Sequence, residues 1–435
     1  MKYLILLILA AWFAAAQSAA AQSNVTYNRD VAGILQARCQ GCHRPGEIGP
    51  MPLRTYTEVR PWAKSIQQAV VTRKMPPWNA DRAIGKFHND PSLSQQEIDT
   101  LTAWVKAGAP EGNPKDAPKP VQFVDGWNIG KPDKIFEMPK PYQVPAAGTI
   151  EYTYIIIPTD FTEDRWVSAA EYRPGDASVV HHATVFVREP KSQWLRRYPV
   201  GEFFVPVEQI RTAKTPRPAA STNAGASPLE QPITGHVPGR PAKRLPEGYG
   251  LLIPAGSDLV IQLHYTANGK ATSDRSSVGF TFSKSAPAKR VLRVSAIDDS
   301  FAIPPGEANY PVSGKSVLNV DAELLEVYPH MHLRGKSMAL SATYPTGESE
   351  KLLRVPEYDF NWQLVYALDR PKALPKGTVM HAHATFDNSP NNRYNPDPKA
   401  EVRWGDQSWE EMMVGFFTIA VAPETDLRTI YTRRR

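Results

Sequence analysis

A small all-α domain followed by two all-β domains, each a jelly-roll-like antiparallel sandwich, is the fold class this sequence predicts. Three observations carry that expectation. The chain has 435 residues, more than one ordinary core holds. Helical spacing of apolar residues is confined to residues 22–112. From Trp127 onward the pattern changes to short alternating or apolar runs separated by turn residues, and 41 Pro and 27 Gly favour such strands over long helices.

Residues 1–21 stand apart from the fold. Lys2 precedes an apolar run from Tyr3 to Ala16, and small residues end at Ala19-Ala20-Ala21. That is the pattern of an export signal cut before Gln22, and it predicts a periplasmic or secreted protein. The apolar run is short for a membrane span and no later stretch is longer, so the processed chain is expected to have none. The net charge of +6 and a pI near 9.0 are mildly basic. With no Lys/Arg run beyond Arg433, Arg434 and Arg435, nucleic acid is a poor partner for it.

The all-α expectation, for residues 22–112, rests on a helix near 29–38, another after Thr57, and a third opened by the capping box Ser94-Gln95-Gln96-Glu97. In the third, Ile98, Leu101, Trp104 and Val105 follow at helical spacing and Gly108 ends the run. The chain's two cysteines lie in Cys39-Gln40-Gly41-Cys42-His43. C-x-x-C-H reads as covalent attachment of one c-type haem, both thiols joined to the porphyrin and His43 on the iron. A thioredoxin-like pair wants a βαβ context and a zinc site wants two more ligands, and neither is present. The second axial ligand is expected at Met75, in a loop stiffened by Pro76 and Pro77, with Met51 and His88 as alternatives.

Residues 113–126 read as a Pro- and Lys-rich linker. Two sandwiches are then expected, over 127–287 and 288–435. Residues 213–231 are polar and low in complexity and read as a surface insertion. Eight of the ten histidines fall in this β-rich part. His181 and His182 are adjacent, and they share a ligand only across a bulge or strand end, because neighbours on a strand face opposite ways. His264 ends a strand. His330 and His332 alternate and so share a face, as do His381 and His383. Imidazole suits copper, zinc and iron, so these pairs point to metal without naming it.

The quoted motifs resemble two known groups. Residues 27–112, through the haem motif, "RKMPPW" and "LSQQEIDTLTAWVKAGAP", resemble cytochrome c domains at the front of bacterial exported oxidoreductases. From Trp127 to the C-terminus the chain resembles the copper type II, ascorbate-dependent monooxygenases, the family of peptidylglycine α-hydroxylating and dopamine β-monooxygenases. "VVHHATVFV" and "GSDLVIQLHY" are similar to the strands that hold the electron-transfer copper, implying His181, His182 and His264 as its ligands. "PHMHLRGK" and "WEEMMVGFF" are similar to the segments of the catalytic copper, implying His330, His332 and Met412, with Met413 the neighbour that competes for the role.

The resemblance implies a small-molecule substrate, O2, and an electron donor that is ascorbate-like or a redox protein. Electrons would pass from haem to the all-histidine copper and, across a solvent-filled cleft, to the copper that hydroxylates a C–H bond. The chain departs from the family in having no cysteine for disulfides in this part. Tyr328, Val414 and Phe416 stand where the peptide-hydroxylating members hold a substrate carboxylate, which implies a less polar substrate. His381 and His383 match no family ligand; an exposed strand face is the expectation for them, with a further metal site as the alternative. The rival readings are a non-catalytic electron-transfer or copper-binding protein, and a zinc hydrolase or lyase; a thioether is a poor zinc ligand, and Met412 argues against the second.

Overall fold

The computed structural model describes residues 25–45, 47, 49–124, 126–206, 230–237 and 242–434. The expected export segment 1–21 and nearly all of the expected insertion 213–231 lie outside them. The chain divides into two compact units, residues 1–78 with 91–123, and residues 79–90 with 124–435.

The first unit is built on short helices. A π-helical turn, Tyr27–Val31, leads into α1 (Ala32–Arg38); α2 (Tyr56–Val59) and α3 (Ala63–Val71) follow, and α4 (Gln95–Lys106) is the longest at 12 residues. Capping boxes open α2 (Thr55, Glu58) and α4 (Ser94, Glu97), each satisfying two backbone donors that a helix start leaves unpaired. Leu35, Val59, Leu101 and Trp104 are the centre of the small core. The expected all-α cytochrome c domain is corrected here: no sizeable all-α domain forms. Among the described residues, 39–55 and 72–94 contain no helix, because Pro45, Pro50, Pro52, Pro76, Pro77 and Pro91 interrupt both stretches. Residues 113–123 belong with this unit. Gln36 Nε2 donates to the Lys119 carbonyl at 3.2 Å, and the Arg44 guanidinium lies 4.3 Å from the Phe123 ring centre.

Residues 79–90, expected within the haem segment, pack in the second unit. Asp81 pairs with Arg354 at 3.0 Å, and the Phe87 ring lies 5.4 Å from that of Tyr366.

The second unit is all β, and each expected half adds a sheet of its own to one that both share. One nine-stranded sheet runs through both expected halves. Its order is Lys134–Glu137, Ser277–Phe282, Arg165–Arg173, Tyr249–Ile253, Lys289–Ile297, Val414–Val421, Ala322–His330 and Tyr366–Leu374, with Lys243–Arg244 beside Arg165–Arg173. The halves join by a short parallel pairing, Lys289 opposite Tyr249 and Arg290 opposite Gly250, whereas every other pairing in this sheet is antiparallel. A four-stranded sheet (Thr153–Pro158, Asp258–Tyr265, Val180–Arg188, Glu230–His236) belongs to the first half. A five-stranded sheet (Ser349–Val355, Gly335–Thr343, Val379–Phe386, Tyr310–Leu318, Tyr431–Arg434) belongs to the second. Ile155, Val185, Ile261, Val278 and Phe280 are all fully buried in the core of the first half. In the second half Gly415 lets sheets approach, since a Cβ there would sit 2.6 Å from Leu340 and 2.7 Å from Ala382.

Candidate metal centres

Two sets of side chains stand in the β-rich unit, and one cavity is lined by His182 of the first and by all three members of the second. The first begins where the strand Val180–Arg188 leaves the turn at Asp176, whose carbonyl accepts from the Val179 and Val180 amides. The pairing register shifts between Val180 and His182, and that irregularity lets adjacent histidines share a side. His264 lies directly opposite His182 on the neighbouring strand. The Nδ1 atom of His182 is 3.1 Å from that of His181 and 3.4 Å from that of His264.

These contacts are not a satisfied hydrogen-bond network. A neutral Nδ1 carries either one proton or one lone pair, so His182 can serve one neighbour and not two. Burial, foremost, and then the neighbouring imidazoles depress the His182 pKa well below its usual value; burial brings His264 down to about 3 and lowers His181. A cation at the shared point relieves the conflict. Imidazole nitrogens about 2.0–2.1 Å from a metal stand about 3.3–3.6 Å apart, close to the two spacings from His182, and all three rings offer a nitrogen within 4.8 Å of the others. Among the described residues, His181, His182 and His264 are the only cluster of three or more His, Cys, Asp or Glu with such convergence. Tyr152 stacks on His264 at 4.7 Å and 17°.

The second set straddles a strand end. His330 closes the strand Ala322–His330, and His332 lies just beyond it, its ring 5.2 Å from that of His330 and nearly perpendicular at 84°. Each Nδ1 has an acceptor: Gln363 Oε1 at 2.7 Å from His330, and the Glu410 carbonyl at 3.2 Å from His332. With Nδ1 protonated, both rings keep the Nε2 lone pair for a metal. Burial, chiefly, takes the His330 pKa down to about 4, with Gln363 opposing, and holds His332 well below the usual range. Met412 lines the cavity with both histidines, whereas Met413 is 0% exposed in the core. Glu411 ties the two segments together, its carboxylate accepting from the backbone amides of His332 at 2.8 Å and Arg334 at 2.5 Å. Burial pushes that carboxyl up to about 8 against the pull of those donors and of Arg334.

The two sets are close neighbours. Phe360 packs 6.0 Å from the His181 ring and 6.0 Å from the His332 ring, so one side chain neighbours both sets. His182, His330, His332 and Met412 line one cavity of about 100 Å³. Tyr328 stacks on Phe416 at 5.5 Å and 15°. Arg293, from the adjacent strand Lys289–Ile297, lies over both rings at 5.6 and 5.0 Å. Sequence reasoning missed Tyr152, Arg293, Phe360 and Gln363, which belong to no motif; Glu411 was visible only inside "WEEMMVGFF".

In the first unit, His43 N donates to the Cys39 carbonyl at 2.9 Å, and His43 Nδ1 meets the Met51 carbonyl at 3.1 Å, which leaves Nε2 for a ligand. A Cβ at Gly49 would sit 2.8 Å from His43 Nδ1 and 2.7 Å from the Cys42 carbonyl, so glycine permits this tight loop. Both thiols are unpaired and half-buried; burial raises both pKa values, that of Cys39 to about 12. The donor set therefore fits covalent c-type haem. Met51 packs beside Cys39 on the core, while the Met75 amide donates to the Ala69 carbonyl at 3.2 Å. His88 lies in the other unit, with its Nδ1 3.0 Å from the Leu368 carbonyl.

His381 and His383 stack at 5.9 Å and 10° and are met by hydroxyls, Thr343 Oγ1 at 3.1 Å and Ser313 Oγ at 2.9 Å. Among the described residues, no helix is long and apolar enough to cross a membrane.

No protein-family profile and no curated protein matches the chain. Solved structures similar to it include that of infectious bursal disease virus Gt strain, at 8% identity and TM-score 0.19, covering 74% of this chain and 78% of that one. The Gx strain structure is similar at 8% identity and TM-score 0.19, covering 72% and 78%. A likeness at that score says nothing about function.

Proposed function

We propose that the chain is a copper-dependent monooxygenase related to the copper type II family, with His181, His182 and His264 holding one copper and His330, His332 and Met412 the other. The observation that carries this reading is the opposite use of the imidazole nitrogens. Three Nδ1 atoms converge without protein acceptors of their own in one set, while both Nδ1 atoms of the other are capped and their Nε2 atoms are left over. Copper held by these donors supplies one-electron chemistry and the activation of O2 toward a C–H bond. The chain's own part is to hold the donors neutral by burial, to fix the second pair of rings through Gln363 and Glu410, and to keep bulk water out with Phe360, Tyr152 and Tyr328. A soft thioether at Met412 favours Cu(I) over zinc.

We further propose that Cys39, Cys42 and His43 carry one covalent haem that serves as a source of single electrons. The test is direct. The purified chain should retain haem through acid–acetone extraction, bind about two Cu per chain, and consume O2 with ascorbate. Copper near one per chain, preference for zinc, or no reductant-driven O2 uptake overturns the reading.

A further inference from the structure

We infer that His381 and His383 form a further metal site on the surface of the five-stranded sheet, a two-imidazole chelate for Cu(II) or another late divalent transition metal. The inference does not rest on the copper reading of the buried sets, with which it shares no residue.

The strand itself presents the pair. Val379–Phe386 is the middle strand of its sheet, flanked by Gly335–Thr343 and Tyr310–Leu318. Met380, Ala382 and Ala384 are buried, so the alternate positions that carry His381 and His383 stand together on the outer face. Register fixes the neighbours. His381 lies opposite Ser341 and Lys315, and His383 lies opposite Ala339 and Ser313.

Each ring is tethered through one nitrogen, and from a different side. His381 Nε2 is 3.1 Å from Thr343 Oγ1, which in turn is 2.9 Å from Ser349 Oγ; His383 Nδ1 is 2.9 Å from Ser313 Oγ. A hydroxyl that accepts the ring N–H leaves the second nitrogen of that ring with its lone pair, and Thr343 can hand its own proton on to Ser349. His381 Nδ1 and His383 Nε2 are then the nitrogens left for a metal, and ligating histidines are held in this way through the other nitrogen. The rings stand 5.9 Å apart and within 10° of parallel. Two imidazoles on one metal have centres at most about 6.3 Å apart. Rotation about the side-chain bonds therefore closes the chelate, and the strand need not move.

The surroundings select the metal. None of the four residues opposite the pair is a carboxylate, so Ca2+ and Mg2+ lack the oxygen ligands they require. Imidazole suits Cu(II) and Ni(II), and copper binds the tighter of the two. Lys315 is the charge that works against a cation here. Burial first, then His383 and Lys315, lower the His381 pKa, which keeps that ring neutral and its lone pair available at neutral pH. With two protein ligands and water for the rest, the site binds more weakly than a buried set of three and exchanges with the solution.

The test uses the full chain as purified, washed with glycine to strip loosely held metal and then titrated calorimetrically with Cu(II) and, separately, with Ni(II). One saturable site beyond the metal that survives the wash is expected, tighter for Cu(II), with two nitrogens on the added Cu(II) in its EPR spectrum. His381→Asn and His383→Asn should each weaken it at least about tenfold, because either change leaves one ligand where there was a chelate. Lys315→Met should tighten it. No saturable site overturns the inference. So does a site that neither histidine variant changes, or one that only a single variant weakens, which marks a lone ligand. His182→Ala, aimed at a buried set, should leave this site unchanged. Metal retained through the wash with no added site sinks this inference alone, and an added site on a chain that retains none sinks the copper reading alone.

Discussion

The two histidine sets differ in what surrounds them more than in what they contain. In the set of His181, His182 and His264, the neighbours are strands and the stacked Tyr152 ring, and the Nδ1 atoms face one another. In the set of His330, His332 and Met412, polar groups reach every ring: Gln363, the Glu410 carbonyl, and Glu411 behind the backbone. A copper that only passes electrons gains from a rigid, unreactive shell, whereas one that handles O2 and a substrate needs orienting groups and a polar cavity. The contrast fits the roles proposed above for the two sets.

The largest effect that sharpens this contrast comes from His182→Ala. His182 makes both Nδ1 contacts, so its loss should empty one site, lowering copper from about two to about one per chain and abolishing O2 consumption with ascorbate. Metal analysis and an oxygen electrode check it, and two retained coppers would break the convergent-site reading. Gln363→Leu should act on the other set alone. Removing the acceptor of His330 Nδ1 should weaken copper there about 10–100-fold, with the all-histidine site unchanged in competitive chelator titrations. Equal weakening of both sites would show that Gln363 supports the cavity and not one ligand.

How much of this was legible in the sequence follows from the physics of each part. His330-x-His332 shows its shared face through strand alternation, and the need for a bulge beside His182 is readable too, because adjacent strand residues such as His181 and His182 point apart. Gln363, Phe360, Arg293 and Tyr152 have no period or spacing to announce them; three-dimensional packing alone brings single residues from distant segments to the cavity. The continuity of the nine-stranded sheet was hidden for the same reason, since it depends on the short parallel pairing at Lys289 and Arg290. The helical expectation failed although the cap at Ser94 was read correctly: the cap at Thr55 was not read, and the prolines between helices were given too little weight.

Met412 and Met413 offer a narrower comparison. Met413→Ala empties a fully buried position and should cost about 2–5 kcal/mol of stability in denaturant unfolding, with copper unaffected. Met412→Ala should leave stability nearly intact and weaken one copper site. Loss of copper on Met413→Ala in folded protein would exchange the two assignments.

The smallest expected effect is on pH dependence, and it sets the histidines against Glu411. Burial holds His264 at about 3 against a usual 6.5, with His181 and His182 also lowered. The unfolded chain then binds protons that the metal-free fold refuses, so stability falls as pH drops below 6.5 and continues to fall toward about 3. Glu411 works the other way. Its carboxyl, raised from 4.5 to about 8, keeps a proton in the fold that the unfolded chain releases, so its contribution is full below 4.5 and is lost as pH rises toward about 8. Metal-free His264→Asn should therefore lose less melting temperature than the parent between pH 7 and pH 4.5, because one refusing imidazole is gone. Glu411→Gln should flatten the opposite limb, losing less than the parent between pH 5 and pH 8. Calorimetric melts across that range test both, and the sign matters more than the size. If His264→Asn keeps the parent's full acid slope, the burial of the three imidazoles is not what holds them neutral.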